Sequence, residues 1–176
     1  HGAYPVWTTA PAAQCTNNPT ISTGEFVGTQ MHITYPSASD PLKTGHGRVA
    51  DGTFPVIVFA HANNDRTPVL FESYQNLHSH WASYGFLVVS VDQSSAADAA
   101  SGAEDFRIRS DLQIDWLDEI RRLNSDPTSI FFKKVETDSF VFAGHSRGGA
   151  AARLSAASVP GVAGVILLQA VTSATD

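Results

Sequence analysis

Six consecutive residues, Gly144-His145-Ser146-Arg147-Gly148-Gly149, combine a hydroxyl with glycines two positions before it and two after it. They directly follow the apolar run Ser139-Phe-Val-Phe-Ala143 and precede an alanine-rich stretch. A serine between a buried strand and a helix, flanked in this way, has the setting of a nucleophile elbow. The turn forces the serine backbone into a strained conformation, and glycines at 144 and 148 let strand and helix approach closely. Ser146 Oγ would then project above the carboxyl edge of a sheet at a helix N-terminus, where amides and the helix dipole favour a developing oxyanion. The chemistry this pattern supports is acyl transfer, with Ser146 as nucleophile.

A second segment completes that chemistry. Pro55-Val-Ile-Val-Phe-Ala60 runs into the polar loop His61-Ala62-Asn63-Asn64, the position from which the same architecture supplies a second oxyanion-hole amide. The backbone N–H groups of Asn63 and Arg147 are therefore the expected donors. His61, at the end of a strand, is expected to order the loop rather than to act as a base.

These groups need a frame, and the chain supplies a regular one. Pro55–Ala60, Phe86–Val91, Ser139–Ala143 and Val162–Leu168 are short, largely apolar, β-branched runs, as expected of strands covered on both faces. Phe26–Tyr35 has strand propensity with partial alternation and ends at Pro36-Ser-Ala-Ser-Asp-Pro41, which predicts an edge strand or a first hairpin. Helices are expected over Phe71–Tyr84, Glu104–Asn124 and Gly148–Ala157. In the second, Leu112, Trp116, Ile120 and Leu123 line one face. Ten of the 19 residues from Glu104 to Arg122 are charged, which reads as a solvated outer face. Strand and helix in alternation predict an α/β fold with a mostly parallel sheet and flanking helices. Residues 1–23 read as an extended N-terminal leader and 24–176 as the folded domain.

Composition narrows the function classes. The 176 residues carry a formal charge of −6, the wrong sign for a partner whose binding requires neutralising phosphates, so nucleic acid is not expected. With 43% hydrophobic and 16% charged residues the chain can build a core, and no apolar run approaches the length of a membrane span. The single Cys15 rules out an internal disulfide framework; it is a free thiol or half of a bridge to another chain. A first residue His1 in place of Met fits removal of an export signal, and the expected location is secreted or periplasmic.

The residues quoted resemble the α/β-hydrolases, and among them secreted serine esterases similar to bacterial cutinase-like polyester hydrolases and to chlorophyllases. The resemblance runs from about Phe26 to Val171. His61-Ala62-Asn63 looks like the family's HG-x loop with alanine in place of glycine. Trp81-Ala-Ser-Tyr-Gly-Phe-Leu-Val-Val-Ser-Val-Asp92 is similar to the helix and following strand of the polyester hydrolases, and Gly144–Gly149 matches the chlorophyllase elbow letter for letter. The resemblance implies hydrolysis of small esters or polyesters through an acyl-serine, with no metal and no organic cofactor. Arg147 and Val171-Thr172 stand where polyester hydrolases hold Met and an aromatic wall, and the loop Asn63–Thr67 is polar, which points toward small or polar esters.

One feature of the pattern is absent. A triad in this architecture follows the order Ser, Asp or Glu, His, yet no histidine follows Ser146, and the one later carboxylate is Asp176, a candidate acid. His32, His46, His61, His78, His80 and His145 all precede the elbow. The fold as read stops after the strand at 162–168, which leaves an apolar sheet edge. A C-terminal fragment or second chain bearing acid, base and further strands is the expected complement. The contrasting expectation is a non-catalytic pseudo-hydrolase or split-chain subunit that binds through the edge near Val165.

Overall fold

The computed structural model describes residues 6–8, 31–38, 48–62, 72–93 and 102–172. Among these residues six strands form one sheet: β1 (Val6–Thr8), β2 (Met31–Pro36), β3 (Phe54–Ala60), β4 (Leu87–Val91), β5 (Val135–His145) and β6 (Val162–Leu168), in spatial order β1-β2-β4-β3-β5-β6. The pairs β4/β3, β3/β5 and β5/β6 are parallel, while β1/β2 and β2/β4 are antiparallel. The expected mostly parallel sheet with flanking helices is thus present. A 3-10 turn at Glu72–Tyr74 leads into α1 (Gln75–Ser83); α2 spans Ala103–Ser125 and α3 Arg147–Ser158.

Among the described residues each parallel connection passes through one α-helix, and the direction of travel along the sheet reverses between β3→β4 and β4→β5. Right-handed crossovers then require the covering helix to change face. Accordingly Val56 and Val58 pack with Leu112, Trp116 and Ile120 of α2, whereas Ile57 and Phe59 pack with Tyr74, Leu77 and Trp81 around α1. Both faces of β3 are covered, which explains its unbroken apolar run. Full burial of side chains such as Leu112 and Ile120 contributes about 1.5–3 kcal/mol each. The reversal point, between the carboxyl ends of β3 and β5, is where open α/β sheets hold their ligands.

Four details differ from the sequence expectation. β2 is second from the edge, with Trp7 paired to Tyr35 and Ile33 to Val89; of the leader 1–23, only Val6–Thr8 is described. β5 begins at Val135, four residues early, because backbone pairing of Glu136 to Pro55 needs no apolar side chain; a register irregularity follows before Phe140 pairs with Val56. In α2, two of the charges read as solvated, Asp105 and Arg109, have no exposed surface; they lie on the stripe continued by Leu112 and Trp116. On β6, Val165 and Leu167 remain 40% and 46% exposed.

Candidate functional site

β5 ends at His145 and α3 starts at Arg147, so Ser146 alone forms the turn. Its φ is 55° and its ψ −119°, a combination closed to ordinary L-residues. Such strain persists only where the surroundings over-determine it. Here Ser146 N donates to Leu168 O at 3.0 Å, and Ser146 O accepts from Gly149 N at 3.0 Å, Ala150 N at 3.2 Å and Val171 N at 3.0 Å. The residue is partly exposed.

The flanking glycines are there for space. A Cβ on Gly144 would overlap the carbonyl of Gly148, and one on Gly148 would overlap the carbonyl oxygens of Ala60 and His61. Gly149 is equally confined, with Ala170 Cβ 2.6 Å from where its own would stand. The first turn of α3 therefore lies directly against the carboxyl end of β3. The Arg147 N–H has no intrahelical acceptor and no other backbone partner among the described residues. Asn63 and Asp176, the other expected oxyanion donor and the candidate acid, lie outside the described residues, as do Cys15 and His46.

His61 is 1% exposed and has both ring nitrogens engaged. Gln93 N donates to Nε2 at 2.8 Å, so the proton sits on Nδ1, which donates to Ala62 O at 2.7 Å. An imidazole so occupied orders the loop and has no lone pair left for a serine proton. His145 is held through Nδ1 by the Tyr74 hydroxyl at 2.7 Å. His32 and His78 are buried. Among the described residues no imidazole hydrogen-bonds Ser146 Oγ, and no group of three or more His, Cys, Asp or Glu is placed to hold a metal ion.

Several residues around the elbow carry no motif signal. Asp105 accepts from Arg109 Nε at 2.7 Å and from Arg147 Nη1 at 3.2 Å. Gln93 Nε2 donates to Arg109 O at 2.8 Å, and Arg109 Nη1 donates to Gln93 Oε1 at 3.2 Å. Burial pulls the Arg109 guanidinium below its usual pKa, opposed chiefly by the charge of Asp105. Asp105 and Arg109 were detectable as an i, i+4 pair on the apolar stripe of α2; nothing in the sequence singles out Gln93 or Tyr74.

In comparison with known families, the model of the Chlorophyllase family matches residues 19–161. The chain belongs to the chlorophyllase family. That family is of the α/β-hydrolase type, as the resemblance at the elbow implied, and membership makes the chain an ester hydrolase by family. The match contains the 61–63 loop and the whole elbow, and it ends one residue before β6. No curated protein matches the chain. No described helix is long and apolar enough to cross a membrane.

Proposed function

We propose that this chlorophyllase-family chain cleaves carboxylic esters through an acyl-serine formed on Ser146. The observation that carries the reading is the backbone of Ser146, held at φ 55° between β5 and α3 by hydrogen bonds on both its N–H and its C=O. In the first step Ser146 Oγ bonds to the ester carbonyl carbon and its proton passes to an imidazole from outside the described residues. The carbonyl oxygen becomes an oxyanion, received by the N–H groups of Arg147 and Asn63. Each such donor is worth about 10²–10³ in rate. Collapse expels the alcohol, which takes the proton from the imidazole, and water then releases the acid by the reverse sequence. The polar loop after His61 favours small or polar esters.

A second reading follows from the histidines. His61 and His145 are both engaged away from Ser146, and loss of a triad member costs about 10⁴-fold or more. A chain with no external imidazole would bind rather than cleave, with exposed Val165 and Leu167 as its contact surface.

A fluorophosphonate probe separates the two, since only an activated serine is phosphonylated. Labelling of the natural protein at Ser146, lost in Ser146→Ala together with hydrolysis of p-nitrophenyl acetate, is the expected result. Absence of an adduct removes the esterase reading.

A further inference from the structure

Six residues form an unbroken hydrogen-bonded chain beneath the elbow. It starts at Ala62 O and passes through the His61 ring to Gln93 N at the end of β4. From the Gln93 side chain it continues to Arg109 and Asp105 on α2, and it finishes on the guanidinium of Arg147, the first residue of α3. His61 is 1% exposed, and Gln93, Asp105 and Arg109 are 0% exposed. The ends of this chain are less buried: Ala62 is partly exposed and the Arg147 side chain is 26% exposed.

The two ends of this chain matter. One is the loop after β3; the other is the N-terminal turn of α3. On the ester-hydrolase reading these are the two segments whose amides receive the oxyanion. They come from strands that adjoin in the sheet, β3 and β5, but the loop after Ala62 and the turn at Arg147 lie beyond the last paired residues, Ala60 and Gly144. Sheet hydrogen bonds between β3 and β5 do not reach past that point. The buried chain links the two segments on the α2 side of the sheet.

Stability alone is a poor reason for it. A buried ion pair in place of well-packed apolar residues is often neutral or unfavourable, and α2 uses apolar residues at the next positions of the same stripe, Leu112, Trp116 and Ile120. The carboxylate of Asp105 is also divided: Oδ1 faces Arg109 and Oδ2 faces Arg147. A single Asp–Arg pair would have sufficed to neutralise Arg109.

We propose that Asp105 is a positioning residue that, through Arg147 on one side and Arg109, Gln93 and His61 on the other, fixes the separation of the two oxyanion-binding segments. The proposal rests on the ester-hydrolase reading for its catalytic consequence, though not for the mechanical coupling itself. An oxyanion donor misplaced by about 1 Å costs up to about 10²-fold in rate, so the effect falls on kcat and spares substrate binding.

The test uses the full natural protein carrying Arg147→Met, which leaves Asp105 paired with Arg109 and so keeps the buried charge neutralised. The expected result is a fall in kcat on p-nitrophenyl acetate of about 10- to 100-fold, with KM and thermal midpoint nearly unchanged and partial recovery in Arg147→Lys. Asp105→Asn should give the same kcat loss if it folds. A wild-type kcat in Arg147→Met, or a loss matched by a comparable fall in thermal midpoint, overturns the proposal. If the wild type is neither active nor phosphonylated, the esterase reading fails instead. The coupling is then read by residue-resolved amide exchange in Arg147→Met. Faster exchange at Gln93, whose N–H is bonded to His61 at the far end of the chain, supports the proposal, and unchanged exchange there overturns it.

Discussion

The hydroxyl of Tyr74 stands 2.7 Å from Nδ1 of His145, and the same oxygen accepts the N–H of Ala62 at 3.4 Å. Tyr74 is the residue immediately before α1, and its ring packs 4.7 Å from that of Phe59. One phenol therefore joins the end of β3 to the residue preceding Ser146, on the sheet face opposite α2. Burial raises the pKa of Tyr74, with the Ala62 hydrogen bond acting against it, so the group stays protonated.

Tyr74→Phe keeps the aromatic packing and deletes this bridge. A net loss of about 1 kcal/mol is expected, read as a lower urea midpoint at unchanged m-value. A midpoint equal to that of the wild type would mean that the bridge does not form.

Gly148 and Gly164 offer a matched pair of substitutions. Alanine at 148 drives Cβ into the carbonyl oxygens of Ala60 and His61, which are backbone and cannot rotate aside, whereas at 164 it meets Val141 Cγ2 at 3.9 Å, an ordinary contact. Gly148→Ala should destabilise by about 2–3 kcal/mol. Gly164→Ala should be neutral or gain up to about 1 kcal/mol from reduced chain entropy. Calorimetric midpoints of the two variants check the close approach of α3 to β3; equal midpoints would contradict it.

The strain at Ser146 is measurable without any catalysis. At φ 55° and ψ −119°, a Cβ costs roughly 1–3 kcal/mol, while glycine gives back part of that gain in unfolded-state entropy, about 0.5–1 kcal/mol. Ser146→Gly should therefore be more stable than Ser146→Ala by about 1 kcal/mol. A Ser146→Ala protein at least as stable as Ser146→Gly would argue for a relaxed turn.

What the sequence made legible divides along physical lines. The strands were readable because β3 and β4 are buried on both faces, so Val56–Ala60 and, apart from Ser90, Leu87–Val91 are apolar. The elbow was readable because close packing at Gly144 and Gly148 admits one residue type. The inward charges were misread, because a count of charged residues over Glu104–Arg122 averages around the helix and hides the one stripe on which Asp105 and Arg109 sit. Tyr74 was invisible for another reason: its partner His145 lies 71 positions away, and no local pattern encodes a contact of that range. The expected donor at Asn63 and the candidate acid Asp176 remain readings of the sequence, since both fall outside the described residues.

His78 makes stability sensitive to acid. The ring is 2% exposed, lies 4.8 Å from Phe59 and 6.1 Å from Trp81, and among the described residues has no partner at Nε2. Burial, aided by the nearby His32, lowers its pKa from 6.5 to about 4. Between those values the unfolded chain binds a proton that the folded chain does not, so stability from this group is complete above 6.5, falls as the pH drops, and levels off below about 4. At about 1.4 kcal/mol per pH unit the full effect is on the order of 3 kcal/mol. His78→Phe fits the surrounding aromatic rings and removes the titration. Urea midpoints taken from pH 7 to pH 4 should decline less steeply in His78→Phe than in the wild type. Identical slopes would show that His78 titrates at its ordinary value in the folded protein, and hence that the ring is in contact with water.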